Sequence, residues 1–344
     1  MFLKAQTLDD ALATLISRLL KSGLRTVSGK GPARELSGVL VEIADPRARF
    51  SRTEGRGMLI AFLGEVCWYL SGSDHLEPIE YYIKEYRKYV DASRKAIRTR
   101  GAYGPRLFGG GDKSQMMALL ATMRAKQGRS DTRQAVAQIF DRSDLHRGKD
   151  IPCTTSLQFL PRGRKLDLIA TMRSNDVYRG FPSDVFAFTF FQELFARSLG
   201  LEVGSYRHFV GSLHLYDCDE GPARAYLGEG LPWGESMPAM PLGDPWQSVR
   251  WLLDAEASLR TNVPIRSDAE IDGYWQDLAR VLTVKRLVVA KDLRGLVRVK
   301  KEMVSPVYNA FIRVKERSLE SEITTKNRQP ILPGLDTAKG RQGQ

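Results

Sequence analysis

The chain has 344 residues, 42% of them hydrophobic, enough to bury a sizeable core in one large domain or two smaller ones. Charged residues make up 27%, and no long low-complexity block precedes the last twenty positions, which excludes an intrinsically disordered chain. The net charge of +12 favours phosphate-bearing partners, but it is scattered, with clusters at 87–88, 94–100 and 285–301, as on a solvated surface; nucleic acid is not expected as the principal partner.

Residues 7–22 set Leu8, Leu12, Leu15, Ile16, Leu19 and Leu20 on one face and predict a helix. Gly23 and Ser28-Gly29-Lys30-Gly31-Pro32 break it, and residues 36–43 read as a strand. The apolar stretch 57–71 predicts a buried helix, and a more polar one is expected over 76–95. Arg106-Leu107-Phe108-Gly109-Gly110-Gly111-Asp112 reads as a loop before a helix over 116–126. Strands are expected at 134–140, 154–160 and 165–172, the last two joined by a hairpin turn at Pro161-Arg162-Gly163-Arg164. An apolar, aromatic helix over 184–199 ends at Gly200, and a strand follows at 205–216. Beyond 220 the chain is turn-rich, with helices near 245–259 and 268–282, a mixed segment, and a frayed tail from Gln329. The pattern is α+β with one central sheet.

No run of 18 apolar residues exists, so no membrane-spanning helix is expected. The N-terminus lacks a signal-peptide pattern. Cys67, Cys153 and Cys218 form an odd, sparse set, which argues against a disulfide scaffold and for a reducing cytoplasm. Three cysteines and four histidines without close pairing give no metal-ligand spacing.

Three clusters carry chemistry. Cys153 follows Ile151-Pro152 at the start of a strand. A thiolate is the best soft nucleophile among side chains, and a nearby arginine would lower its pKa; taken alone, an inert buried thiol is the commoner role. The stretch from Met172 to Asp184 runs from an apolar strand through Arg, Asn, Asp and Ser into a very apolar helix, as polar groups at a site do. Asp184 could equally cap that helix, and Arg173 and Arg179 could be surface charges. In Gly211-Ser212-Leu213-His214-Leu215-Tyr216, His214 and Tyr216 share one strand face, suited to a sugar hydroxyl or to a simple polar pair.

In this order and spacing the clusters resemble thymidylate synthase. The matching residues are Pro152-Cys153, Gln158-Phe159, Arg173-Ser174-x-Asp176-Val177 with Gly180-x-Pro182, and His214-Leu215-Tyr216. Gly64-Glu65-Val66-Cys67-Trp68-Tyr69-Leu70-Ser71-Gly72, Tyr103-Gly104 and Asp131-Thr132-Arg133-Gln134 agree with that pattern, so the resemblance covers about 7–218. It implies a single catalytic domain over 1–328, divergent beyond 220, with a flexible tail over 329–344. It also implies a mixed central sheet flanked by helices and forming the interface of a homodimer.

The resemblance further implies roles. Cys153 would add to pyrimidine C6 and make C5 a carbon nucleophile toward the one-carbon unit of 5,10-methylenetetrahydrofolate. Arg173, Ser174 and Arg25, with Arg133 donated across the dimer, would hold the 5′-phosphate of a pyrimidine nucleoside monophosphate. His214 and Tyr216 would hold the 3′-hydroxyl. Glu65 would organise proton transfer, and Tyr103 would assist proton removal at C5. Asp176, near Gly180, would bind the pterin of the reduced folate, and Arg56 its glutamate tail.

The departures concern the substrate. Asp184 stands where the family has its base-reading asparagine. A carboxyl group can accept from the cytosine N4 amine and, when protonated, donate to N3. In this it resembles the cytidylate 5-hydroxymethylases of the same superfamily. Thr154 replaces a histidine, Gln134 an arginine, and Ser212-Leu213 an Asp-Thr pair; no Trp lies between 73 and 110, where the synthase has a shielding one, so water could capture the exocyclic methylene. The expectation is folate-dependent C5 hydroxymethylation of CMP or dCMP. The alternatives are methylation of dUMP, or a silent relative that binds nucleotide or RNA, against which the joint presence of Cys153, Glu65, Arg173 and Tyr103 argues.

Overall fold

A computed structural model describes residues 1–51, 58–90, 97–127, 131–146, 150–230, 235–266 and 268–327. Its strands are β1 (Phe2–Ala5), β2 (Leu24–Ser28), β3 (Gly31–Ile43), β4 (Val136–Gln138), β5 (Thr154–Arg162), β6 (Lys165–Asp176) and β7 (Glu202–Tyr216). Its helices are α1 (Leu8–Ser22), α2 (Leu59–Leu70), α3 (Leu76–Tyr82), α4 (Tyr103–Leu107), α5 (Gln115–Lys126), α6 (Gly180–Ser198), α7 (Asp217–Gly228), α8 (Trp246–Arg260), α9 (Gly273–Val289), α10 (Leu293–Glu302) and α11 (Asn309–Asn327).

The strands form one mixed sheet in the order β1-β3-β7-β6-β5-β4, with β2 hairpinned onto β3. β1 runs parallel to β3 and β6 parallel to β7; the other pairs are antiparallel. The β5–β6 turn falls where expected, with Gly163 at φ +56°, a conformation that glycine adopts without cost. β6, α6 and β7 make a strand–helix–strand crossover. Its parallel register sets Ser174 beside Ser212 and Asp176 beside His214, so the carboxyl ends of both strands open at one place, as at many ligand sites.

α6 holds the sheet down. Fourteen of its nineteen residues are buried, and the Phe195 ring stacks on Phe159 of β5 at 4.8 Å. Pro182 lies in its first turn, where a missing N–H breaks no helical bond. Gln192 donates from Nε2 to the carbonyls of Leu166, Gly204 and Ser205, bracing the helix against both parallel strands. Gly211 is required for contact: a Cβ there would stand 2.9 Å from the Arg173 carbonyl and push β7 off β6 beside the site.

Several boundaries differ from expectation. The helix expected over 76–95 stops at Tyr82, because Ile83 turns extended; a 3₁₀ segment, Lys84–Tyr89, follows and turns Tyr86 inward. The expected loop 106–112 opens inside α4 and includes the start of a second 3₁₀ turn, Gly111–Lys113. β1, β2, α7, α10 and α11 were not expected. One apolar core runs from Ala5 of β1 to Phe311, while α9, α10 and α11 share a smaller one around Leu287, Leu296 and Ile312. Arg49 and Glu193 form a fully buried ion pair that ties the segment after β3 to α6, and Glu193 Oε1 also accepts from Met240 N at 2.9 Å. Among the described residues, no helix is long and apolar enough to cross a membrane, and no cluster of three His, Cys, Asp or Glu could hold a metal.

Tyr206 and His208 of β7 are wholly buried, with 2.6 Å between Tyr206 Oη and His208 Nδ1. Burial holds the imidazole pKa down to about 3. A histidine depressed on folding stabilises above its unfolded pKa of roughly 6.5 and loses that contribution as pH falls from there toward its folded value. Acidifying from about pH 7.5 to 5 is therefore expected to lower the melting temperature of the unaltered protein more than that of His208→Gln. Equal shifts in a thermal melt series contradict this.

Candidate active site

Cys153 directly precedes β5, half-buried, at the mouth formed by the ends of β6 and β7. Arg173 fixes it from β6. Its backbone N–H donates to the Cys153 carbonyl at 2.9 Å, and its Nε and Nη2 donate to the carbonyls of Pro152 (2.9 Å) and Ile151 (3.0 Å). With its guanidinium so anchored, Nη2 lies 3.8 Å from the sulfur. Burial pushes the Cys153 thiol up, Arg173 and Lys30 pull it down, and Asp184 and Asp150 add to the rise. The net direction is upward, so the resting group is a thiol whose ionisation depends on those two cations. Arg173→Ala is expected to slow iodoacetamide alkylation of Cys153 by about tenfold near pH 8, one pKa unit's worth of thiolate. An unchanged rate, read by peptide mass mapping, contradicts that dependence.

Glu65 lies on α2, buried, and gathers three hydroxyl donors. Tyr69 donates to its Oε1 at 2.9 Å, Tyr86 to the same oxygen, and Ser183 to Oε2. Only Glu65 among these was singled out from the sequence with a role. Tyr103 opens α4, stacked between Tyr69 (5.2 Å) and Phe188 (6.3 Å). Its oxygen accepts from Thr154 N (3.2 Å) and Thr154 Oγ1 (3.0 Å), so Thr154, wholly buried, ties the tyrosine to the residue after the nucleophile. Burial raises the Tyr103 phenol well above its usual range, with Asp184 and Cys153 adding to the rise. The Asp184 carboxyl thus bears on both the thiol and the phenol, which places the three groups near one another.

Asp184 does not cap α6, which begins four residues earlier. It lies on the helix's second turn, where Asn175 Nδ2 donates to its Oδ2 at 2.6 Å. Burial and the Glu65 carboxylate push its carboxyl well above the usual carboxylate range, against the pull of Asn175. Asp176 closes the turn between β6 and α6, its Oδ1 accepting from the backbone of Tyr178 (2.8 Å) and Arg179 (3.2 Å). Burial raises its pKa too. A partly desolvated carboxyl with a second oxygen beside it suits N–H donors. His214 and Tyr216 lie edge to face at 4.9 Å, and burial lowers the imidazole pKa, keeping it neutral for a hydroxyl partner. Ser174 sits half-buried between Arg173 and these residues.

The remaining expected residues sit farther out. Arg25 of β2 is 60% exposed and paired with Asp217 at 2.6 Å; from the same hairpin it is Lys30 whose charge reaches Cys153 and His214. Arg133 is exposed, its carbonyl accepting from Gln158 Nε2 at 3.0 Å beside the β4 edge. Arg56 lies outside the described residues.

A family model described as "Thymidylate synthase" matches residues 52–229, just over half of the chain and the stretch that holds Glu65, Tyr103, Cys153, Arg173, Asp184 and His214. The chain belongs to the thymidylate synthase family. Among its relatives, the deoxyuridylate hydroxymethyltransferase of Pseudomonas phage M6 is 28% identical over 222 residues, 62% of this chain and 61% of the relative. That of Bacillus phage SP01 is 30% identical over 225 residues, 60% of this chain and 56% of the relative. The thymidylate synthase of Haloferax volcanii is 32% identical over 123 residues, 35% and 34% of the two chains. The match spans about three fifths of the length of the phage relatives. The names of these phage relatives say deoxyuridylate where the Asp184 departure pointed to cytidylate.

Proposed function

We propose that the protein hydroxymethylates C5 of a cytidine monophosphate, CMP or dCMP. The one-carbon unit comes from 5,10-methylenetetrahydrofolate, which Asp176, Gly180 and Arg56 would hold. The Cys153 sulfur adds to C6 and leaves C5 nucleophilic toward that unit. The C5 proton then departs to water held by the Tyr103 hydroxyl and the Glu65 hydroxyl cluster. With the unit bonded to C5, its bond to the folate nitrogen would break and release tetrahydrofolate; water would add to the exocyclic methylene left behind, and the sulfur would leave C6. The balance is nucleotide, methylenetetrahydrofolate and water in, hydroxymethyl nucleotide and tetrahydrofolate out, with no net oxidation. Arg173 and Ser174 would hold the phosphate, joined by Lys30 and, from a second copy of the chain in a homodimer, by Arg133. Arg25 would join them only by leaving Asp217. His214 and Tyr216 would meet the sugar.

The observation that carries the substrate is Asp184, whose carboxyl burial and Glu65 push toward the neutral form. A neutral carboxyl offers one O–H to cytosine N3 and one oxygen to the N4 amine. The names of the phage relatives favour a second reading, hydroxymethylation of dUMP. Mass spectrometry of products from CMP, dCMP, UMP and dUMP decides between them. The expected result is a gain of one CH₂O unit on a cytidylate with tetrahydrofolate regenerated. Turnover of dUMP alone overturns the cytidylate reading, and release of dihydrofolate overturns hydroxymethylation.

A further inference from the structure

Asn175 is 3% exposed, and its amide has one partner. Nδ2 donates to Asp184 Oδ2 at 2.6 Å, while Oδ1 has no hydrogen-bond partner among the described residues. A buried acceptor left unpaired costs stability, so such a group in a ligand pocket points to a donor that arrives with the ligand. The surroundings agree. Gly180 sits over the pair: a Cβ there would touch Asn175 Nδ2 at 3.4 Å and Asp184 Oδ2 at 3.8 Å, so the missing side chain keeps that space open. The N–H on Oδ2 also marks that oxygen as an acceptor, which leaves Oδ1 of Asp184 as the natural seat of a carboxyl proton.

We propose that Asn175 is a specificity-determining residue: it fixes which Asp184 oxygen donates and which accepts, and its own Oδ1 takes the second N–H of an exocyclic amine. The inference rests on the cytidylate reading of the Cys153 site and deepens it. The ligand edge it selects carries an amine with two hydrogens beside a bare ring nitrogen. Asp184 Oδ1–H meets the ring nitrogen, Asp184 Oδ2 takes one amine hydrogen, and Asn175 Oδ1 takes the other. An oxo group at the same place has no hydrogen to give and would face two acceptors. Asn175 does not touch the reacting carbons; it acts by orienting Asp184 and by rejecting the oxo base.

The test is the ratio of kcat/KM for dCMP to that for dUMP, with CMP and UMP in parallel, in the unaltered protein and in Asn175→Ala. The expected result is a fall in the ratio of tenfold or more, with the loss concentrated on the amino base. The alkaline limb of the cytidylate pH profile should also move to higher pH, because the lost N–H donor had favoured the Asp184 carboxylate. A structural role alone lowers both substrates equally and leaves the ratio and the limb in place; that outcome overturns the inference while the cytidylate reading stands. If the alanine variant fails to fold, Asn175→Ser, which keeps a small polar side chain, carries the same comparison. Preference of the unaltered protein for dUMP overturns the base assignment and the inference with it.

Discussion

Replacing Cys153 with alanine is expected to lower turnover by about four orders of magnitude while leaving nucleotide binding and the melting temperature nearly unchanged. The large effect follows from chemistry: without sulfur at C6, C5 of a pyrimidine is too poor a nucleophile for the one-carbon transfer. The small structural effect follows from geometry. The Arg173 guanidinium bonds to the Ile151 and Pro152 carbonyls, and the β5–β6 ladder bond uses the Cys153 backbone, so none of these needs the thiol. Loss of one half-buried sulfur costs about 1 kcal/mol or less in stability. Steady-state turnover with equilibrium binding of the nucleotide separates the two effects. A variant that keeps a tenth of the activity contradicts the assignment of the nucleophile.

Asp184→Asn is expected to cut cytidylate kcat/KM about a thousandfold and to raise that for dUMP. Two hydrogen bonds to the base change sense at once, and a buried mismatch costs about 1–3 kcal/mol each. The pH behaviour has a definite sign. The cytosine-reading form is the neutral acid, so cytidylate turnover falls as pH rises through the raised Asp184 pKa. The asparagine variant loses that limb. Stability runs the same way: a carboxyl whose folded pKa is raised binds more protons folded than unfolded, so its contribution is lost as pH rises from the ordinary carboxylate range to the folded value. Asp184→Asn should therefore melt higher than the unaltered protein at alkaline pH. A variant that keeps its cytidylate preference, in competition assays with both nucleotides, removes Asp184 from the base pocket.

Much of this arrangement was legible from spacing. α1 declares itself by apolar periodicity, α6 by its apolar, aromatic run up to Gly200, and the β5–β6 hairpin by its Gly163 turn. The nucleophile, the Arg173–Asp184 stretch and the His214–Tyr216 strand lie in segments whose order alone carries the family. What escaped depended on contacts that no local pattern encodes. β1 is four residues long and is fixed only by its parallel pairing with β3; β2 is a largely exposed hairpin arm. α7 contains Gly221 and Pro222 and little apolar residue, so it reads as a turn until Tyr226 is seen anchored on Asp9 at 2.9 Å. Within the site, the three hydroxyls on Glu65 come from positions 4, 21 and 118 residues away. The Asn175–Asp184 bond joins a strand end to the second turn of a helix. Arg25 is paired with Asp217, and from the same hairpin the charge of the tip residue Lys30, which the sequence did not single out, reaches Cys153 and His214.

The most direct measurement is exchange of the nucleotide C5 hydrogen with solvent deuterium in the absence of folate. Addition of sulfur to C6 makes C5 carbanion-like, so exchange reports that step alone, before any one-carbon chemistry. The predicted result is deuterium at C5 of CMP or dCMP with the unaltered protein, none with Cys153→Ala, and a shift toward dUMP with Asp184→Asn. Exchange that survives the loss of Cys153, or that the unaltered protein performs only on dUMP, contradicts it.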